Sequence, residues 1–182
     1  MSRKYKFRDD SRLYFVTFAV VAWIDVFTRA EYKDTFLDTL RYCQQNKGLE
    51  LYAYCIMPNH VHMIIGSNKE PLADIMRDLK GFSAKQLLKQ IQAHPQESRK
   101  EWMLHLMRQA GEKNSNNTNF QFWVQHNKPI ELNSSRIMNQ KLAYIHNNPV
   151  EAGFVDREEA WLYSSAKDYY GGKGRIDIMF IE

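Results

Sequence analysis

The spacing of apolar and polar residues along the chain predicts strands and helices in an alternating order. Stretches dense in Phe, Val, Ile and Tyr are typical of strands, and they occur at 12–23, 49–57, 60–66 and 120–125. Apolar residues three and four positions apart predict helices, and this spacing runs through 29–48, 71–91, 97–110 and 134–149. Gly48 and Pro149 would end the first and the last of these helices.

The order of these elements predicts the fold class. A short Pro-Asn turn separates the second strand from the third, so the two are expected to form a hairpin. The series strand, helix, strand, strand, helix, helix, strand, helix contains the split βαβ arrangement. That series is typical of an α+β sandwich of antiparallel sheet and helices. No repeat or linker interrupts the 182 residues, so we expect a single domain over 1–182.

Composition and charge narrow the class of protein only slightly. Hydrophobic residues make up 44% of the chain and charged residues 25%, as in a soluble globular protein. The longest apolar run, 14–27, contains Thr17 and Asp25 and is too short to span a bilayer. The first ten residues carry charges without a hydrophobic stretch, so a secretory signal is not expected and a cytoplasmic location is. The net charge of +4 is compatible with a nucleic-acid partner.

Two histidines stand out in the third predicted strand, within the stretch "YCIMPNHVHMIIG" (54–66). Residues i and i+2 of a strand lie on one face, so His60 and His62 project together while Val61 points the other way. Core histidines are often simply hydrogen-bonded, but burying two without partners is unfavourable. Neutral imidazole is a common metal ligand, and the pair therefore favours a divalent metal site over ordinary core residues.

A second candidate group lies in the last predicted helix, in "YIHNNPV" (144–150). Tyr144 and Asn148 are four residues apart and share a helix face. Asn148 offers a carbonyl oxygen as a third metal ligand, and Tyr144 offers a phenol beside it. The alternative makes Tyr144 a core aromatic residue and Asn147 with Asn148 a helix end.

Basic and aromatic residues are the third candidate group. The basic ones lie in the middle helical region and form either a solvated face or a phosphate-contacting surface: Arg77, Lys80, Lys85 and Lys89. Three aromatic residues near strand ends could stack on unpaired bases or belong to the core: Trp123, Trp161 and Tyr163. The two cysteines, Cys43 and Cys55, have no CxxC spacing and are expected to be reduced packing residues.

Taken together, "YCIMPNHVHMIIG" and "KLAYIHNNPVEAGFV…WLYSSAKDY" resemble the single-tyrosine HUH transposases, in particular the REP-associated tyrosine transposases. The resemblance runs from "YFVTF" (14–18) to "YSSAKDY" (163–169). The two histidines around a hydrophobic residue that name the HUH group are matched by His60 and His62.

The resemblance implies a ferredoxin-like fold and an enzyme that nicks and rejoins single-stranded DNA, at hairpin-flanked sites, through a covalent 5′-phosphotyrosine. His60 and His62 match the ligands of a Mg²⁺ or Mn²⁺ ion, and Tyr144 matches the nucleophile. Asn148 matches the third ligand, where related insertion-sequence transposases carry glutamine. The implied partner is single-stranded or hairpin DNA, which implies a nucleoid-associated location and no membrane. From their charge, Arg77, Lys80 and Lys85 are candidate contacts to that DNA.

Three alternatives stay open at this point. Related transposases exchange the tyrosine helix within a homodimer, so Tyr144 could serve its own histidines or a partner's. A non-catalytic or domesticated nucleic-acid-binding protein could use the same fold. A histidine-triad hydrolase also has alternating histidines on a strand, but it needs a third one where this chain has Ile64.

Overall fold

The computed structural model describes residues 6–114 and 119–181 of the chain. Within them, four strands form one antiparallel sheet in the order β2-β3-β1-β4: β1 (Tyr14–Ala19), β2 (Leu49–Ile56), β3 (His60–Ser67) and β4 (Ile130–Glu131). Five α-helices accompany the sheet in the same residues: α1 (Ala30–Lys47), α2 (Leu72–Ala93), α3 (Lys100–Glu112), α4 (Ser135–Glu151) and α5 (Ala166–Tyr169). The architecture confirms the predicted ferredoxin-like α+β sandwich.

The sheet has helices on both faces because the apolar residues of its strands alternate between two cores. Val16 and Val61 point into the larger core under α1 and α2. Phe15 and Ile64 point into a smaller core against α4, where Ile145 meets them. By the same alternation the side chains of His60 and His62 lie on the α4 face. The helix that carries Tyr144 therefore packs on the histidine face of the sheet.

The helix α1 ends as its sequence predicts. Gly48 follows the helix with φ of 76°, the left-handed conformation that glycine adopts without strain, and its N–H donates to the Cys43 carbonyl. The chain then enters β2 directly. This short connection leads into the β2–β3 hairpin that presents both histidines.

The prediction of a strand at 120–125 is wrong. The fourth strand is β4, ten residues further along, and Trp123 forms only an isolated bridge to Val20. Phe122 and Trp123 are both buried, and both belong to the larger core. Their dense apolar character fills the main core instead of forming sheet.

The prediction that Pro149 ends its helix is also wrong, since α4 continues to Glu151. A proline removes one N–H from the helix, but here it lies in the last turn and is buried. One lost bond near the end is offset by packing. The consequence matters for the site, because Asn148 stays helical and remains one turn from Tyr144.

Candidate active site

The β2–β3 hairpin and strand β1 together hold His62. Thr17 of β1 is the register partner of His62, and its Oγ1 lies 2.7 Å from the imidazole Nδ1. The side chain is buried, and within residues 6–114 and 119–181 its Nε2 has no hydrogen-bond partner. Burial, together with the electrostatic influence of His60 and Lys141, lowers the pKa of His62 to about 3. The imidazole is therefore neutral, with one buried nitrogen unpaired.

His60 is oriented by a chain of side chains from the neighbouring loop. The Nδ2 of Asn59 donates to Asp25 at 2.8 Å, which turns its Oδ1 toward the Nδ1 of His60 at 2.7 Å. The acceptor oxygen requires Nδ1 to carry the proton, so Nε2 keeps its lone pair. Burial lowers the pKa of His60, and a hydrogen bond with the Asn148 side chain partly opposes that shift. This orientation of a histidine through its second nitrogen is common at metal sites.

The two histidines and Tyr144 form one continuous group of rings. The ring centroids of His60 and His62 are 4.7 Å apart, and those of His62 and Tyr144 are 5.1 Å apart. Tyr144 also contacts the edge of Phe15 at 6.0 Å, yet 41% of its surface is exposed. Tyr144 is thus a partly open residue beside the histidines, not a core aromatic.

The helix α4 supplies two further side chains to this group. Asn148 lies one turn after Tyr144, beside His60, and its side chain opposes part of the lowering of the His60 pKa. Lys141 lies one turn before Tyr144, and its Nζ is 5.5 Å from the Tyr144 ring centroid and 4.7 Å from that of Phe15. His146 points elsewhere: it is buried, with its Nε2 2.9 Å from Ser165 Oγ. His146 therefore cannot take the place of Asn148 as a third metal ligand beside His60 and His62.

The residues present fit a divalent metal ion. His60 and His62 offer neutral imidazole nitrogens, and Asn148 beside them offers an amide oxygen, a donor set that suits Mg²⁺ or Mn²⁺. The unpaired Nε2 of His62 is a buried polar atom that such an ion would satisfy. In the described part of the chain no cluster of three His, Cys, Asp or Glu side chains could hold a metal, so any site here depends on the amide.

The basic residues of α2 lie on the opposite face of the sheet. Arg77, Lys80 and Lys85 line one groove of about 870 Å³ between α2 and the segment 119–127. The Nζ of Lys80 donates to the Val124 carbonyl at 2.8 Å and to Asn127 Oδ1 at 2.7 Å, and burial lowers its pKa to about 8.

The other two basic side chains of this groove, Arg77 and Lys85, differ in their surroundings. Arg77 pairs with Asp74 and Asp78, whereas Lys85 is exposed and lies outside the ion pairs found among the described residues. The structure thus brings the three residues together, but away from the histidines.

Several residues of the site were not identified from the sequence. Thr17 and Asp25 interrupt the apolar run 14–27, and that interruption is the only feature of the sequence that sets them apart. Asn59 had the appearance of a turn residue only, and nothing in the sequence marked Lys141. Trp123 and Tyr163, considered for base stacking, are core residues with 5% and 6% exposure.

Comparison with known proteins identifies the class. The family model described as "Transposase IS200 like" matches residues 14–117, more than half of the chain, and the chain belongs to this family. The matched range includes His60 and His62, while Tyr144 and Asn148 lie beyond it. No curated protein matches the chain.

Two solved structures resemble it. One is a REP-associated tyrosine transposase bound to a REP hairpin, with 15% identity, a TM-score of 0.66 and coverage of 100% of this chain and 96% of that one. The other is a putative transposase from Deinococcus radiodurans R1, with 25% identity, a TM-score of 0.46 and coverage of 81% and 95%. The predicted resemblance is confirmed. Among the described residues no helix is long and apolar enough to cross a membrane.

Proposed function

We propose that this transposase is a metal-dependent endonuclease and strand transferase of single-stranded DNA, acting through a covalent 5′-phosphotyrosine. The observation that carries the proposal is the Tyr144 ring 5.1 Å from the ring of His62. The two residues come from separate elements, α4 and β3, on one face of the sheet. A nucleophile beside neutral imidazoles with an unpaired nitrogen is suited to phosphoryl transfer.

His60, His62 and Asn148 would hold the Mg²⁺ or Mn²⁺ ion. Neutral histidine is the form that binds a metal, and burial keeps the pKa of both imidazoles below the usual value. When bound, such an ion polarises a phosphate oxygen and makes the phosphorus easier to attack. Thr17 and Asn59 would orient the two imidazoles through their Nδ1 atoms.

Tyr144 would attack the phosphorus with its phenolic oxygen. A bond forms between that oxygen and the 5′-phosphate, the bond to the 3′ oxygen breaks, and the leaving strand ends in a 3′-hydroxyl. Because 41% of Tyr144 is exposed, water can take up the phenolic proton, and water supplies one proton to the departing 3′ oxygen. The ester keeps the phosphodiester bond energy, so a 3′-hydroxyl can reverse the attack and rejoin the strand.

Two features around Tyr144 support this role. The ammonium of Lys141, 5.5 Å from the Tyr144 ring centroid, provides a positive charge that would attract the scissile phosphate. The tyrosine also lies beside the histidines of its own chain, so we propose that it acts on its own metal site. A homodimer is not needed to complete the group.

We propose hairpin or single-stranded DNA as the partner, because the solved neighbour with the same fold is bound to a REP hairpin. Arg77, Lys80 and Lys85 would contribute positive charge to the DNA path. These residues lie across the sheet from Tyr144. A bound DNA strand would therefore have to pass the edge of the sheet beside β1, where the Asn127 carbonyl accepts from the Thr17 N–H. Lys80, whose Nζ donates to the Val124 carbonyl and to Asn127, would also hold that groove in shape.

Labelled hairpin oligonucleotides with single-stranded flanks, incubated with Mn²⁺ and run on a denaturing gel, test the proposal. A label on the 3′ portion should migrate with the protein, and a label on the 5′ portion should run as a shorter product. Plain duplex should be a poor substrate. Binding without any adduct would instead favour a non-catalytic DNA-binding protein.

Reversing the charge of Lys85 should weaken hairpin binding several-fold, because loss of one phosphate contact removes one released counterion. Lys85→Glu should also reduce the slope of log affinity against log salt by about one. Lys89→Glu is the matched control, since Lys89 lies one turn further on α2 and does not line this groove. Equal effects of the two variants in fluorescence anisotropy would remove Lys85 from the DNA path.

A further inference from the structure

The segment between β1 and α1 is docked firmly beside the histidines. The N–H groups of Val20 and Phe27 donate to the carbonyls of Asn59 and Pro58, both at 2.8 Å. These bonds attach the segment to the β2–β3 turn that precedes His60. The apolar side chains of the segment are buried: Val20, Val21, Ile24, Val26 and Phe27. The position of this segment relative to the site is therefore set by many contacts.

One large side chain of the segment faces solvent. Trp23 is 64% exposed, so its indole gains little from burial. Ala22 and Trp23 also have φ of 53° and 55°, left-handed backbone that is unfavourable for residues with a Cβ. Strain of this kind persists where the surrounding structure enforces it, and it is frequent at functional sites. Stability of the fold does not explain an exposed tryptophan on a strained backbone.

The exposed indole lies at the end of the candidate active site. Its ring centroid is 5.8 Å from that of His60, in an edge-to-face arrangement. His60 is followed by His62 and then by Tyr144 in the same row of rings. Trp23 thus lies at the opposite end of the row from Tyr144, the proposed nucleophile. DNA that flanks a phosphate bound at Tyr144 would run past Trp23.

We propose that Trp23 stacks on an unpaired nucleobase within two nucleotides of the scissile phosphate and so positions that phosphate. The inference rests on the proposed function and adds a residue that binds the flanking base. Bases of any identity stack on aromatic side chains, so the contact sets the register of the strand without reading its sequence. A base is favoured over a protein surface because the group that the indole contacts is polar: the ring of His60 lies against the indole, and Asn59 and Asp25 continue from His60 in a chain of hydrogen bonds.

Binding of the intact protein to a hairpin oligonucleotide, without metal so that the DNA stays whole, tests the stacking. Each oligonucleotide of a set carries a single abasic site, placed at one of the two positions on either side of the scissile bond. Trp23→Ala should bind the complete oligonucleotide about tenfold more weakly than the wild type. When the abasic site removes the base that stacks on Trp23, the affinity of the wild type should fall by the same factor. Wild type and Trp23→Ala should then bind that oligonucleotide equally.

Three variants distinguish stacking from a purely hydrophobic contact. Trp23→Phe should keep most of the affinity, whereas Trp23→Leu, apolar without a π-face, should bind as weakly as Trp23→Ala. Trp102→Ala is the matched control, because Trp102 is 52% exposed and lies on α3, outside the row of rings that runs from Trp23 to Tyr144. Its affinity should equal that of the wild type.

Two results would overturn the proposal. One is that the affinities of wild type and Trp23→Ala differ by the same ratio on every abasic oligonucleotide. The effect of removing the indole and the effect of removing a base would then be independent. The other is a change in oligomeric state of Trp23→Ala in size-exclusion chromatography, which would assign the indole to a second copy of the chain. Failure of wild-type cleavage would contradict the proposed function alone, since the binding comparison does not depend on cleavage.

Discussion

Replacing Tyr144 by phenylalanine is expected to abolish both DNA cleavage and the covalent adduct while leaving hairpin binding unchanged. The substitution removes one oxygen and keeps the ring, so the edge contacts with Phe15 and His62 persist. Because Tyr144 is partly exposed, its hydroxyl can be removed without leaving a buried cavity. Loss of a nucleophile typically reduces the rate by on the order of 10⁴ or more.

The measurement is single-turnover cleavage of a hairpin oligonucleotide labelled on its 3′ portion, with adduct and product separated on a denaturing gel. Tyr170→Phe is the matched control, since this tyrosine is 62% exposed and, among the described residues, its hydroxyl hydrogen-bonds only with Glu158. Tyr169→Phe should also stay active, at a stability loss of about 1 kcal/mol, because its hydroxyl donates to the Tyr52 carbonyl. An adduct formed by Tyr144→Phe would show that another residue is the nucleophile.

His62→Ala is expected to eliminate cleavage and the thermal stabilisation that Mn²⁺ gives the wild type. The wild-type protein should unfold at a higher temperature in Mn²⁺, because a ligand present at 100 times its Kd stabilises the folded state by about 2.7 kcal/mol. The variant lacks the unpaired Nε2 that a metal would use, so both its cleavage and its thermal shift should disappear. EDTA should produce the same loss of cleavage in the wild type.

Differential scanning fluorimetry with and without Mn²⁺ measures the shift independently of activity. His105→Ala is the control for removal of an exposed histidine on α3, and it should keep the full response. His146→Ala should keep the response as well, because the Nε2 of His146 already has Ser165 as its partner. Full cleavage in EDTA, or an unchanged Mn²⁺ shift in His62→Ala, would contradict the metal site.

The differences between the predicted and observed elements have local physical causes. The stretch around Phe122 and Trp123 has the apolar density of a strand, but density alone does not distinguish a strand from an irregular segment that fills a core. Pro149 was expected to end its helix because proline is unfavourable in a helix interior. Its effect is small in the last turn, where burial of its ring offsets one missing hydrogen bond.

The sequence by itself determined the features that depend on near neighbours along the chain. The spacing of His60 and His62 is sufficient to place both on one face of a strand, and the spacing of Tyr144 and Asn148 places both on one face of a helix. The order of elements likewise predicted the sandwich. These relations follow from the fixed geometry of strands and helices, so they need no knowledge of the rest of the chain.

Tertiary structure alone decided which of these groups meet and what surrounds them. Thr17 contacts His62 because β1 pairs with β3 in one register, and Lys141 meets Phe15 because α4 packs on that face of the sheet. Trp23 stands beside His60 because its segment is hydrogen-bonded to the β2–β3 turn. Contacts between residues far apart in sequence arise from the packing of whole elements, and local patterns of residues carry no record of that packing.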